Sequence, residues 1–146
     1  KVAKELKLDI YHGLSNELPM NISKNTKTIV TIHDVIFERF PEWYATVDRK
    51  IYRKKFKSAA QIANLVVTIS EQSKADLIHF YNIDPDKIKV VYQSCHEAFQ
   101  KEISKTSFTA VADKFNLPKK YLLYVGTIEK RKNLLTVLQA IENQPQ

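Results

Sequence analysis

A glycine turn followed by basic residues is the part of this sequence best suited to holding a charged ligand. The apolar run 121–125 is predicted to be a buried strand; Gly126 follows it, and Arg131 and Lys132 lie a few residues further on. Glycine permits a positive φ and the close approach of a ligand. Backbone N–H groups and cationic side chains in such a turn could hold a diphosphate. An ordinary strand-to-helix turn with an exposed basic helix start would show the same residues.

A second polar pair, His33 and Asp34, closes the apolar run 28–32. An imidazole can hydrogen-bond a sugar hydroxyl or transfer a proton near neutral pH. The alternative is that Asp34 caps a helix and His33 has no role in the site.

The elements that would position these residues are strands alternating with helices. Short apolar runs at 8–12, 28–32, 65–69, 88–92 and 121–125 predict five strands, and helical patterns cover 47–63, 75–81, 108–115 and 133–141. Ser70 is a predicted helix N-cap. This alternation predicts an α/β fold with a mostly parallel, Rossmann-like sheet flanked by helices.

In such sheets, ligands bind outside the carboxyl ends of the strands. That rule selects a set of candidate site residues at the ends of the predicted strands: Gly13, Ser15, Asn16, His33, Asp34, Ser70, Glu71, Gly126, Thr127, Arg131 and Lys132.

The helix predicted at 47–63 carries a basic face, and the whole chain has a net charge of +7. Such a face could meet an anionic bilayer or nucleic acid, or could simply be solvated. Tyr52 and Phe56 fall on the predicted core face, so the basic side chains lack interleaved aromatics, and we expect no nucleic-acid partner. The basic residues concerned are Arg49, Lys50, Arg53, Lys54, Lys55 and Lys57.

Other reactive residues are better explained without chemistry. One cysteine excludes an internal disulfide and fits a reducing compartment. Cys95 and His96 are sequence neighbours, which rarely face each other, so they are not expected to form a nucleophile pair. Asp84-Pro85-Asp86 is expected to start a helix rather than to bind a metal. No apolar run is long enough to span a bilayer.

Taken in order, several segments resemble the retaining group 1 glycosyltransferases of the GT-B type, which have two Rossmann-like lobes. The resemblance covers nearly the whole chain and rests on the ordered set 9–12, 31–35, 67–77, 83–92 and 121–134. It implies a donor nucleotide-sugar held by Gly126, Thr127, Arg131 and Lys132. It also implies that His33 lies near the transferred sugar as the catalytic residue.

The resemblance further assigns Gly13, Ser15, Asn16, Asp34, Ser70 and Glu71 to the acceptor side and the cleft lining. Two departures from the family pattern concern the site. Many members have arginine where this chain has Thr127, and many have Asn-Gly where it has Gln93-Ser94.

The same resemblance predicts the organisation of the chain. Residues 1–98 correspond to the C-terminal half of the N-terminal acceptor lobe, and residues 99–146 to the linker and the start of the donor lobe. Residues 1–7 read as the last turns of a helix. We therefore expect a central fragment that is inactive by itself. Its apolar run 121–125 would either add to the first sheet or pair with a second copy of the chain.

The predicted function is transfer of a sugar from a nucleotide-sugar to a polysaccharide or lipid-linked acceptor, with retention of configuration. No cofactor and no metal are expected, and the expected location is cytoplasmic, peripheral on the inner membrane face. The alternative is a basic α/β module that binds nucleic acid.

Overall fold

Four parallel strands form the sheet in the computed structural model, which describes residues 7–19 and 21–142. The strands are β1 (Ile10–Gly13), β2 (Lys27–Ile32), β3 (Leu65–Thr68) and β4 (Ile88–Val90), and they lie in the order β1-β2-β3-β4. The predicted α/β class with a parallel sheet is confirmed. Of the helical turns predicted at 1–7, all but Lys7 lie outside the described residues.

Alternate residues of the strands face one buried core. Val30 pairs with Val66, and Val66 with Ile88, so the three side chains form a row across the sheet. All three are at most 1% exposed, and they join Ala60 and Leu77 in the same core cluster. Fully burying a side chain of this size contributes roughly 1.5–3 kcal/mol. This row therefore anchors the strands whose ends carry the candidate site.

Among the described residues of this part of the chain, the helices are α1 (Ile36–Arg39), α2 (Thr46–Ile62) and α3 (Glu71–Tyr81). The predicted cap of α3 is confirmed, because the Ser70 hydroxyl accepts a hydrogen bond from Ser73 N at 3.1 Å. The apolar pattern of α2 is buried only in its second half. Ala59 and Ala60 join the core, whereas Val47 is 67% exposed.

The apparent metal motif at residues 84–86 is a structural turn. Asp84 Oδ1 accepts a hydrogen bond from Asp86 N at 3.0 Å and starts the 3-10 turn Pro85–Lys87. A second 3-10 turn, Pro41–Trp43, joins α1 to α2.

Packing within the chain separates two units, Lys1–Ser94 and Cys95–Gln146. The second unit contains the helices α4 (Lys105–Lys114) and α5 (Leu134–Glu142) and the 3-10 turns Glu97–Phe99 and Lys130–Lys132. Across the portion of this unit that the structure describes, residues 95–142, no residue is buried.

The prediction of a fifth strand at 121–125 is wrong. The structure assigns no strand there, and Leu122, Leu123 and Val125 are each more than three-quarters exposed. A strand is stabilised by hydrogen bonds and side-chain pairs with a neighbouring strand. The apolar run has no such neighbour among residues 7–19 and 21–142, so composition alone does not make it a strand.

Candidate functional site

The carboxyl ends of β1, β2 and β3 bring Asn16, His33 and Ser70 together through hydrogen bonds. We call the group formed by Leu14, Asn16, His33, Ser70 and Ser73 the His33 cluster. Every member lies within five residues of a strand end, on the edge of the sheet where parallel α/β folds bind ligands.

His33 is bound on three sides by this cluster. Its backbone N–H donates to Asn16 Oδ1 at 2.9 Å, and its carbonyl accepts from Ser73 Oγ at 2.8 Å. Its imidazole Nε2 lies 3.0 Å from the Leu14 carbonyl oxygen. A carbonyl can only accept, so Nε2 carries the proton and, in the neutral ring, the lone pair is on Nδ1. The ring can therefore accept one hydrogen bond from a hydroxyl group.

The turn that supplies the Leu14 carbonyl depends on Gly13 and Asn16. A Cβ atom added to Gly13 would lie 2.1 Å from the Glu17 carbonyl oxygen, so no larger residue fits without moving the backbone. Asn16 has a φ of 63°, in the left-handed region that asparagine tolerates better than most residues. Its N–H donates to the Thr31 carbonyl at 3.0 Å, which fastens the turn to β2.

Four of the other predicted acceptor-side residues have mainly local roles or none in the observed contacts. Asp34 Oδ1 accepts from Ile36 N at 3.2 Å, a local contact just before α1, whose N-cap is Val35. Ser70 contacts Ser73 and so reaches His33 indirectly, with 3.0 Å between the two hydroxyl oxygens. Glu71 and Ser15 are exposed to solvent.

The predicted donor residues form a turn of their own in the second unit. Gly126 has a φ of 155°, and the Tyr124 hydroxyl donates to the Thr127 carbonyl at 2.8 Å. Glu129, which the sequence analysis missed, accepts from Thr127 Oγ1 and from Arg131 Nε, each at 2.6 Å. These two hydrogen bonds lower the pKa of the Glu129 carboxyl.

This arrangement divides the two predicted phosphate ligands. The charge of Arg131 is shared with Glu129, whereas the Lys132 side chain is exposed and acts on Glu129 only through its charge. Lys132 is therefore the better placed of the two to receive an anion.

Two ion pairs that join α1 to α2 and α3 were also missed by the sequence analysis; in each, the carboxylate is buried and the arginine side chain is about half exposed. Glu38 receives hydrogen bonds from Arg53 and, at 3.1 Å, from the Tyr81 hydroxyl. Arg39 pairs with Asp76, which also accepts from Gln72 Nε2 at 2.8 Å. Apart from Gln72 and Asp76, the partners are 15 to 43 residues apart in sequence, so no local pattern indicates them.

The pKa of Glu38 is shifted by opposing effects. Burial raises it, but the hydrogen bond and charge of Arg53, together with Tyr81, outweigh burial and lower the pKa below its ordinary value of 4.5. Burial, and then the Glu38 charge, raise the pKa of Tyr81, which keeps its hydroxyl protonated. The stability that Glu38 contributes is fully present above its ordinary pKa and is lost as pH falls through the lowered value.

The remaining reactive residues have structural contacts. His96 Nδ1 accepts from Ala98 N at 3.1 Å and caps the 3-10 turn Glu97–Phe99. Within residues 7–19 and 21–142, no three His, Cys, Asp or Glu side chains are grouped so that they could hold a metal ion. Among the helices of the same residues, none combines the length and apolarity needed to cross a membrane.

Substitutions of Asn16 should separate its backbone role from its side-chain role. Asn16→Asp should change stability little, since it keeps both the acceptor and the tolerance of a left-handed φ. Asn16→Gly should cost about 1 kcal/mol for the lost hydrogen bond to His33 N. Asn16→Ala should cost roughly 1–2 kcal/mol more, because alanine strains at this φ. Urea unfolding measures the series; equal losses for glycine and alanine would contradict the assigned strain.

Comparisons with known proteins place the first unit in a recognised sequence group. The model of Glycosyltransferase Family 4 matches residues 1–95. The O-antigen chain mannosyltransferase B of Escherichia coli is 28% identical over 137 residues, which are 93% of this chain and 35% of that protein. The serotype-specific mannosyltransferase WbdA of Escherichia coli is 24% identical over 144 residues, 94% of this chain and 18% of that protein.

A further relative is the O-antigen chain mannosyltransferase RfbU of Salmonella typhimurium. It is 27% identical over 105 residues, which cover 72% of this chain and 26% of that protein. The chain thus spans about a third or less of the length of these relatives.

Proposed function

From the premise that this chain belongs to glycosyltransferase family 4, we propose that it is part of an enzyme that transfers a mannosyl group from a nucleotide-sugar to a polysaccharide or lipid-linked acceptor. The coarse activity, glycosyl transfer, follows from the family. Mannose as the sugar is proposed because the three relatives described above are all mannosyltransferases. We also propose that the anomeric configuration is retained.

The observation that carries this proposal is the fixed His33 ring at the carboxyl edge of the sheet. Leu14 holds Nε2 in its protonated form, so Nδ1 is the ring atom that can bind a substrate hydroxyl. The His33 backbone is held by its hydrogen bonds to the side chains of Asn16 and Ser73, and this fixes the position from which the ring extends. A pre-oriented hydrogen-bond acceptor of this kind would hold the transferred sugar in position while the bond between the sugar and the leaving group breaks.

The other requirement of the reaction is a partner for the leaving diphosphate. When the bond between the sugar C1 and the diphosphate oxygen breaks, negative charge grows on that oxygen. The oxygen of an acceptor hydroxyl forms the new bond to C1 on the same face, and its proton passes to the departing diphosphate. We propose that Lys132 neutralises this charge, with Arg131 and the N–H groups after Gly126 assisting. These are groups of the chain itself, so the proposal requires no metal.

The proposed role of His33 is tested by the substitution His33→Ala in the protein that contains this segment. Loss of one neutral hydrogen bond should lower kcat/KM for mannosyl transfer about tenfold. His79→Ala is the matched control, because His79 is an exposed histidine on α3 and should leave transfer unchanged.

A panel of nucleotide-diphosphate sugars should show mannose as the preferred donor, and the product's anomeric configuration is read by NMR. Unchanged transfer by His33→Ala would contradict the role of His33. We expect the isolated 146-residue chain to show no turnover, since it spans about a third or less of the length of these relatives.

We further propose that the basic side of α2 contacts an anionic membrane surface on the cytoplasmic side. The cations of α2 are not equivalent there: Arg53 is bound to Glu38, Arg49 is half-buried, and Lys55 lies 2.8 Å from Glu17. Lys50, Lys54 and Lys57 are exposed and line one side of an open groove of about 380 Å³. These three lysines are the cations best placed for lipid headgroups.

Lys54→Gln should weaken binding to anionic vesicles about fivefold, since one lysine near such a surface contributes about 1 kcal/mol. Lys105→Gln, which removes an equal charge from exposed α4, is the control. Co-sedimentation with anionic and neutral vesicles measures both variants. Equal losses for the two variants would show that net charge, not this face, governs binding; retention of a nucleic acid duplex instead of vesicles would favour the nucleic-acid alternative.

A further inference from the structure

The helix that follows His33 is too short to hold itself in place. Helix α1 has four residues, and isolated helices of this length are unstable in water because nucleation is unfavourable. At its ends, Glu38 N donates to the Val35 carbonyl and Phe40 N donates to the Ile36 carbonyl, each at 2.8 Å. The orientation of α1 must therefore come from contacts with other elements.

Glu38 supplies the first of these contacts, and it connects α1 to two other helices. Its side chain is 1% exposed, and its carboxylate receives two hydrogen bonds from Arg53 on α2 and one from Tyr81 on α3. Removing one partner from a buried charge is far more costly than breaking an exposed pair. The carboxylate is thus held where both helices can reach it.

Arg39 supplies the second contact, and it involves the helix that also binds His33. Arg39 pairs with Asp76 on α3. One turn earlier on α3, Ser73 Oγ donates to the His33 carbonyl. The segment from His33 to Arg39 is consequently fastened to α3 at both ends.

Ion pairs of this kind are not needed for stability alone, because packed apolar residues of similar volume often stabilise as well or better. What the two pairs add is direction, since each requires one arrangement of α1 against α2 and α3. We propose that Glu38 is a positioning residue, which holds the His33 ring through a clamp formed by Glu38, Arg39, Arg53, Asp76 and Tyr81. The importance of that position for catalysis rests on the proposed function of His33.

Hydrogen exchange of the 146-residue chain tests the clamp without any assay of transfer. In Glu38→Gln, which keeps the shape of the side chain and removes its charge, protection of the His33 amide should fall about tenfold more than that of the β3 amides. The 15N signals of the His33 ring should also shift from the Nε2–H form toward a mixture of tautomers. A loss of global stability alone would lower the exchange protection of all protected amides together.

Ile88→Val is the matched control, since it removes one buried methylene from β4 but none of the hydrogen bonds of the clamp, and should cost about 1 kcal/mol. It should lower the exchange protection of the His33 amide and of the β3 amides equally, and it should leave the 15N signals of the His33 ring unchanged. Arg39→Lys keeps the charge but loses the two-point bond to Asp76. It is the milder variant, and it should show the same selective loss to a smaller degree if Glu38→Gln does not fold.

The proposal is overturned if His33 protection and the ring signals of the folded variants change no more than they do in Ile88→Val. The exchange result and the transfer assay can fail separately. A selective loss at His33, together with full transfer by His33→Ala, would support the clamp and reject the proposed function.

Discussion

Gly13→Ala should lower the free energy of unfolding by about 3 kcal/mol, the upper range for forcing extra atoms into a packed site. The added Cβ would meet the Glu17 carbonyl oxygen at 2.1 Å and the Leu18 side chain at 3.1 Å. The first contact is with backbone, so a change of side-chain rotamer cannot relieve it. The turn must move, and with it the Leu14 carbonyl that accepts from His33 Nε2.

Urea unfolding and the 15N signals of the His33 ring measure the two consequences separately. Leu14→Ala is the control, because that side chain is 65% exposed and the carbonyl is unchanged. It should alter stability by no more than about 0.5 kcal/mol. A Gly13→Ala variant as stable as the original chain would mean that the turn has room that the structure does not show.

Lys132→Ala should weaken binding of a nucleoside diphosphate by one to two orders of magnitude in the protein that contains this segment. A charge-assisted hydrogen bond contributes roughly 1.5–3 kcal/mol, which corresponds to about this loss of affinity. The corresponding nucleoside lacks the phosphates, so its binding should change little. Calorimetric titration of both ligands measures the difference.

Lys130→Ala is the matched control for Lys132→Ala. Both residues are exposed lysines in the same 3-10 turn, and we expect Lys130 to point to solvent. Equal weakening of nucleoside and diphosphate by Lys132→Ala, or an equal effect of Lys130→Ala, would remove the phosphate role. The family membership would then support the fold but not this residue.

The parts of the fold that the sequence predicted well are those that local physics decides. The first four strands are short apolar runs that a parallel sheet covers, and Ser70 caps α3 because its hydroxyl needs only the N–H of Ser73. The fifth strand failed for the opposite reason. An apolar run at 121–125 becomes a strand only when another strand lies beside it, and composition does not show whether one does.

The contacts that hold the candidate site residues in place could not be predicted from the sequence. His33 could be identified from its place after β2, but its partner at Nε2 is the Leu14 backbone carbonyl, which has no side-chain signature. Glu38 and Asp76 were missed because their partners, Arg53 and Arg39, lie 15 and 37 residues away. Glu129 was missed because the sequence pattern of this turn indicates its basic residues but not the carboxylate that binds one of them.

The two ion pairs of α1 also determine how this segment can be exchanged between related enzymes. A crossover between residues 39 and 46 would take Glu38 and Arg39 from one parent and Arg53 and Asp76 from the other, leaving charges without partners in the hybrid. We therefore expect substitutions at these four positions to occur together among related enzymes. Chimeras that keep residues 33–81 as one block should survive recombination more often than those divided within it.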